Sequence, residues 1–187
     1  SGLINRLEEY NTIIPYGFDV REYHVYHEVN PPTMILHFGS PSDVLEFSDS
    51  DKTSSTIIQG TINMIRLCRK SNTKIVFAST MGVYDSSMDN VYTTSKLAME
   101  NYIKSVYNNY IILRIPRVYS KCRNKGLMRQ IRDNTISAED MDKEIEYITL
   151  QDFVDQTLPI LIQTNITHEY KITHKKSIRE IKQWIEK

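Results

Sequence analysis

The run "TKIVFAST" (73–80) constrains this chain most. Consecutive β-branched and aromatic residues without polar alternation mark a strand buried on both faces, the habit of parallel sheets covered by helices. Its neighbours agree. "SSTIIQGTINMIRLCRK" (54–70) sets Ile58, Ile62, Ile65 and Cys68 on one helical stripe, and the polar "SN" at 71–72 ends it. A second helix is predicted from Tyr92 through "SKLAMENYIKSVY". "NNYIILRIP" (108–116) then reads as a strand stopped by Pro116, and "PPTMILHFGSPS" (31–42) as an earlier short buried strand ending at Gly39. Strand, helix, strand, helix, strand at these spacings predicts an α/β fold, a doubly wound parallel sheet built from right-handed crossovers.

The flanks are less regular. "EIEYITL" (144–150) looks extended, "QDFVDQTLPILIQ" (151–163) helical with a bend at Pro159, and "HEYKIT" (168–173) extended. "SIREIKQWIEK" (177–187) opens with Ser177 and Glu180 spaced as a capping box. It carries Ile178, Ile181, Trp184 and Ile185 on one side, with Trp184 as a packing anchor. At the start, "SGLINRLEEY" reads as a turn feeding a helix and "NTIIPYGFD" as a strand and turn.

Composition narrows the function. Charged residues make up 25% and the formal net charge is zero, with no concentrated basic run, so a nucleic-acid track is not expected. Cys68 and Cys122 lack CxxC spacing, and Cys68 falls on a helix stripe. A buried thiol and a reducing, cytoplasmic setting are expected rather than a disulfide framework. No apolar run spans a membrane and no leader is visible. His24 and His27 have no third ligand at a fitting distance in sequence, so no metal site is expected.

Ligands of open parallel sheets bind beyond the carboxyl ends of the strands. "HFGSPS", "STMGVY" and "RIPRVY" fall there. The helix after "STMGVY" begins with Tyr92, and Lys96 lies one turn later on the same face. A phenol is a poor base at neutral pH, whereas an adjacent ammonium favours the phenolate. With the Thr80 hydroxyl holding a substrate oxygen, Tyr92 would move the proton while a nicotinamide cofactor exchanges hydride. A YxxxK spacing alone also occurs on many ordinary helices.

Six ordered segments carry a resemblance. "ILHFGSPS", "IIQGTINMI", "VFASTMGVYD", "YTTSKLAMENYI", "ILRIPRVYS" and "YITLQDFVDQTLPIL" resemble, in order, successive motifs of the extended short-chain dehydrogenase/reductase family. Within it they are similar to the NAD-dependent epimerase/dehydratase group that acts on nucleotide sugars. The resemblance implies a Rossmann-like core over residues 1–120 and a reduced substrate-side part over 121–187, with a strand and helix returning to the core. It implies NAD or NADP as cofactor, a sugar or nucleotide-sugar substrate, and the homodimer that relatives form through the two central helices, where Met64, Met99 and Tyr102 serve either such an interface or simply the core.

Carried over by position, Thr80, Tyr92 and Lys96 are the catalytic set. Gly2, Leu3, Ile4, Asp19, Phe38, Gly39, Ser79 and Pro116 join Tyr92 and Lys96 around the cofactor. Asp19 would take the adenosine ribose, and Arg21 beside it leaves NADP open. The chain also departs from the pattern. The family's first strand and first glycine are expected before Ser1, and Asn5 stands at the third glycine. Ile57 and Arg117 replace asparagines, and Ile145 replaces an arginine that grips the diphosphate. Met81 and Gly82 replace the Asp-Glu of dehydratases, so dehydration is not expected. Glu100 is expected to be a helix-surface residue or a local ion-pair partner. Two functions fit: an epimerase or ketoreductase, or a relative that keeps the fold as a binding or scaffold protein.

Overall fold

The structure, a computed structural model, describes residues 19–22, 32–41, 49–85 and 90–186. The expected glycine turn with Gly2, Leu3, Ile4 and Asn5, and the residues His24 and His27, lie outside them.

Four parallel strands form the main sheet: β1 (Met34–His37), β2 (Lys74–Thr80), β3 (Tyr110–Ile115) and β6 (Ile166–Glu169), in the order β1-β2-β3-β6. Helices α1 (Ser50–Ser71) and α2 (Val91–Val106) cross between the first three strands, as the alternation predicts. The β2 pattern explains the two-sided burial. Ile75 and Phe77 join Ile65, Cys68, Met99 and Ile103 in a core under α1 and α2. Val76 faces the other way, into a core with Ile111, Leu113, Phe153, Val154 and Tyr170. That second face is covered by α4 (Leu150–Thr157), which runs into a single 3₁₀ turn at Leu158–Ile160 where Pro159 stands. The sheet is thus wound on both sides.

Met64 and Met99 are buried in the core of this chain, which accounts for both side chains without a second copy. Cys68 is buried and Cys122 exposed, and both are free thiols. Among the described residues no helix is long and apolar enough to cross a membrane, and no cluster of metal-ligating side chains occurs.

A smaller sheet, β4-β5-β7, comprises β4 (Val118–Tyr119), β5 (Glu144–Thr149) and β7 (His174–Ser177). With α3 (Gly126–Arg132) and α5 (Ile178–Glu186) it encloses a third core of Tyr119, Met128, Ile131, Ile145, Tyr147 and Ile181. Trp184 is half-buried against it. The Ser177 hydroxyl and Glu180 carboxylate cap α5 reciprocally. Ile145, at the position of the expected diphosphate arginine, is 7% exposed and belongs to this core.

The helix starts are written in short polar residues. Asp49 caps α1 through the Lys52 amide at 2.8 Å, and Asn90 with Thr93 forms a capping box at the start of α2. Asn72, in left-handed conformation (φ 53°), closes α1 by donating its amide to the Cys68 carbonyl.

One close approach ties the Asp19 turn to this framework. Val20 occupies the space where side chains at Gly39 and Gly60 would begin: a Cβ on Gly60 would lie 2.5 Å from Val20 Cγ2, and one on Gly39 2.9 Å from Cγ1. Buried Asn63 donates to the Val20 and Arg21 carbonyls at 3.1 and 2.9 Å. Alanine at position 60 would gain about 1 kcal/mol in helix propensity, but overpacking costs typically about 1–3 kcal/mol. A Cβ contact also 3.1 Å from Val20 Cβ leaves no rotamer to escape into. Gly60→Ala is therefore expected to lower the urea midpoint.

Candidate active site

Thr80 is the last residue of β2. Its Oγ1 accepts from the Gly82 amide at 3.1 Å and so starts the 3₁₀ turn Met81–Tyr84. Gly82 fits between two threonines: a Cβ there would lie 3.1 Å from Thr93 Cγ2 and 3.4 Å from Thr80 Oγ1. This packing brings the start of α2, with Tyr92, onto the end of β2. Lys96, one turn on, is 2% exposed. Its Nζ donates to the Ala78 carbonyl at 2.6 Å, lies 4.7 Å from the centroid of the Phe77 ring and 5.7 Å from that of Tyr92. Lys96 thus reaches the end of β2 beside the Tyr92 ring, at the carbonyl of Ala78, two residues before Thr80.

Burial dominates the electrostatics. It draws the Lys96 ammonium down to about 7, with the Glu100 charge opposing. It pushes the Tyr92 phenol above its usual value. The ammonium donates to the Ala78 carbonyl, and the phenol is raised by burial where the sequence-based expectation is a depressed one. His37, buried at the end of β1 with its Nε2 3.2 Å from Thr61 Oγ1, is lowered to about 3 by burial and by Lys96, and is neutral.

The remaining candidates spread along the same sheet end. Phe38 and Gly39 follow β1, with the Phe38 ring 38% exposed and edge-on to Phe153. Pro116 follows β3 and is half-buried. Asp19 is exposed on the turn anchored by Val20, where its carboxylate takes both a side-chain and a backbone hydrogen bond from Arg21. The guanidinium holds it down at about 2. Ser79 does not face the same way as Thr80. Its hydroxyl donates to Glu100 Oε1 at 2.5 Å, beneath α2.

Glu100 overturns one half of the sequence-based expectation and keeps the other, a local ion pair. It is not a surface residue; its exposure is 0%. Arg114 grips it with Nε at 3.0 Å from Oε1 and Nη2 at 2.6 Å from Oε2, and the local partner Lys104 is farther, at 3.7 Å. Strand register explains this. Ser79 pairs with Arg114, and Arg114 with Glu169, across three adjacent strands, so the three side chains share one face. Arg114 also contacts Glu169 at 3.2 Å and hydrogen-bonds the Tyr84 hydroxyl, which in turn donates to Glu169. The sequence signal was present: Tyr92, Lys96 and Glu100 follow at four-residue spacing, one face of one helix.

The sequence model of the NAD dependent epimerase/dehydratase family matches residues 16–157, most of the chain. The chain belongs to that family. Among solved structures it is similar to RMD from Pseudomonas aeruginosa complexed with NADPH, with a TM-score of 0.78 at 18% identity over 97% of this chain and 75% of that one. It is similar to the dTDP-4-dehydrorhamnose reductase of Bacillus anthracis in complex with NADP, at TM-score 0.77 and 21% identity, covering 98% of this chain and 75% of that one. The UDP-glucose 4-epimerase of Thermus thermophilus in complex with NAD gives 0.74 at 18% identity, over 92% and 69% respectively. At these identities the likeness shows the fold. No curated protein matches the sequence. That fold includes the main parallel sheet, with α2, which carries Tyr92 and Lys96, packed on it.

Proposed function

We propose that the chain acts as an NAD(P)-dependent epimerase or ketoreductase on a sugar or nucleotide sugar, with Thr80, Tyr92 and Lys96 as its proton-transfer site. The seat of the Lys96 ammonium carries this reading: it lies on the Ala78 carbonyl, two residues before Thr80, and 5.7 Å from the centroid of the Tyr92 ring.

The described residues fit a nicotinamide cofactor along the strand ends. Phe38 offers an exposed ring, Asp19 a carboxylate for ribose hydroxyls, and Lys96 a buried ammonium next to Tyr92. Gly39 and Pro116 complete the wall, Ser79 being turned beneath α2 onto Glu100, and Gly2, Leu3 and Ile4 are assigned to the phosphates by sequence alone. Such a cofactor, when bound, supplies the hydride donor or acceptor. The Thr80 oxygen already accepts from Gly82, so its proton is available to a substrate oxygen. Tyr92 gives that oxygen a proton or takes one away, and Lys96 supports the charge that develops on the phenol. Met81 and Gly82 bring no carboxylate to the 3₁₀ turn, so a water-eliminating step is not part of the proposal. Arg21, paired with Asp19, is available to a 2′-phosphate and leaves NADP open.

A non-catalytic binding or scaffold role is the second reading. The raised Tyr92 phenol favours it, because burial works against the phenolate. Turnover separates the two. Reduced or oxidised nicotinamide absorbance is followed with a panel of nucleotide sugars and their 4-keto forms. Tyr92→Phe is expected to remove turnover while leaving cofactor affinity nearly intact. Equal turnover in that variant refutes the role of Tyr92.

A further inference from the structure

Glu100 is more buried than any residue of the proposed catalytic set. Its carboxylate is held from three elements: Ser79 on β2 at 2.5 Å, Arg114 on β3 at 2.6–3.1 Å, and Lys104 on its own helix at 3.7 Å. A surface glutamate needs none of this. A carboxylate fixed between two strands and a helix sets both the height and the rotation of that helix on the sheet. Lys96 stands one turn before it on the same face.

We propose that Glu100 is a positioning residue for Lys96: clamped by Ser79 and Arg114, it seats α2 on β2 and supplies the negative charge that offsets burial of the Lys96 ammonium. The inference deepens the proposed function and rests on the role given there to Lys96. Phe77, Tyr92 and the Ala78 carbonyl surround the ammonium, and His37 faces it from the end of β1. His37 is neutral, and Arg114, Lys104 and Glu169 address Glu100 itself. Among the described residues Glu100 is thus the carboxylate that acts on Lys96, its charge opposing desolvation there. Burial also raises Glu100, and the Ser79 hydroxyl counters that rise.

The test reads Lys96 directly and needs no turnover. In lysine-labelled protein the Lys96 side-chain resonance is identified by its loss in Lys96→Met, and its titration is followed by NMR. Glu100→Gln keeps shape and hydrogen-bonding capacity but removes the charge. The Lys96 midpoint is expected to fall, leaving the amine roughly tenfold less protonated at a given pH. Glu100→Asp, which keeps the charge, is expected to return it toward the wild-type value. A scaffold role alone lowers the melting temperature without moving the midpoint, so an unchanged midpoint in folded Glu100→Gln overturns the proposal. If that variant does not fold because Arg114 loses its partner, Glu100→Gln is made in the Arg114→Met background, where the Lys96 midpoint is expected to fall below that of Arg114→Met alone. Equal midpoints in those two variants overturn the proposal. Failure to bind NAD or NADP would instead refute the proposed function and leave this coupling standing.

Discussion

Lys96→Met is expected to make the protein more stable at neutral pH. The wild-type ammonium is 2% exposed and drawn from 10.5 to about 7 by burial. Between these values the unfolded chain holds a proton that the folded chain has shed. Stability from this group therefore rises with pH across the window, by at most about 1.4 kcal/mol per pH unit. At and below pH 7 the full cost of burying the lysine is present. Methionine fills the same space without it, and the Nζ–Ala78 bond it forfeits is worth only about 1 kcal/mol. A net gain on the order of 1–4 kcal/mol is expected near pH 7, in line with replacing buried charge by apolar volume. The gain should shrink as pH approaches 10.5. Urea unfolding of both proteins at several pH values measures it. A variant less stable than wild type at every pH, or a gap that ignores pH, contradicts the assignment of Lys96 as a buried, functional cation. A residue that costs stability where it stands fits a site retained for chemistry.

Arg114→Met is expected to do the opposite. It leaves the fully buried Glu100 carboxylate with only the Ser79 hydroxyl and the more distant Lys104. Breaking one side of a buried pair costs about 3–5 kcal/mol because the remaining charge stays uncompensated. Adding Glu100→Gln removes that charge, and most of the loss should be recovered. The double variant is therefore more stable than Arg114→Met alone. Chemical unfolding of the two single variants and the double variant gives the coupling directly. Costs that simply add would show that Arg114 and Glu100 do not act as a pair.

The parts legible in the sequence were those whose burial leaves a period. β2, with Ile75 and Phe77 to one side and Val76 to the other, could only be a central strand. α1 and α2 followed from their stripes, and Thr80, Tyr92 and Lys96 from their order along the chain. The Ser177–Glu180 cap was readable because a cap is local. What escaped was short or depended on register. β4 has two residues, too few to show alternation, and α3 has seven. The strand near "HEYKIT" begins earlier, at Ile166, and ends at Glu169. β7, "HKKS", has no apolar residue. It is held by backbone pairing to β5, by Lys175 on Glu144 at 2.8 Å and by His174 stacked on Tyr147. Glu100 escaped because helix period assigns a face and says nothing of what the face meets. Its partners Ser79 and Arg114 become neighbours only through the β2–β3 register.

The central claim, a proton-transfer site next to a nicotinamide pocket at the strand ends, is tested most directly by calorimetric titration of the purified chain with NAD and NADP separately. Saturable binding of at least one below millimolar concentration is predicted. Lys96→Met should weaken it and Tyr92→Phe should leave it nearly unchanged. A folded chain that binds neither would contradict the claim.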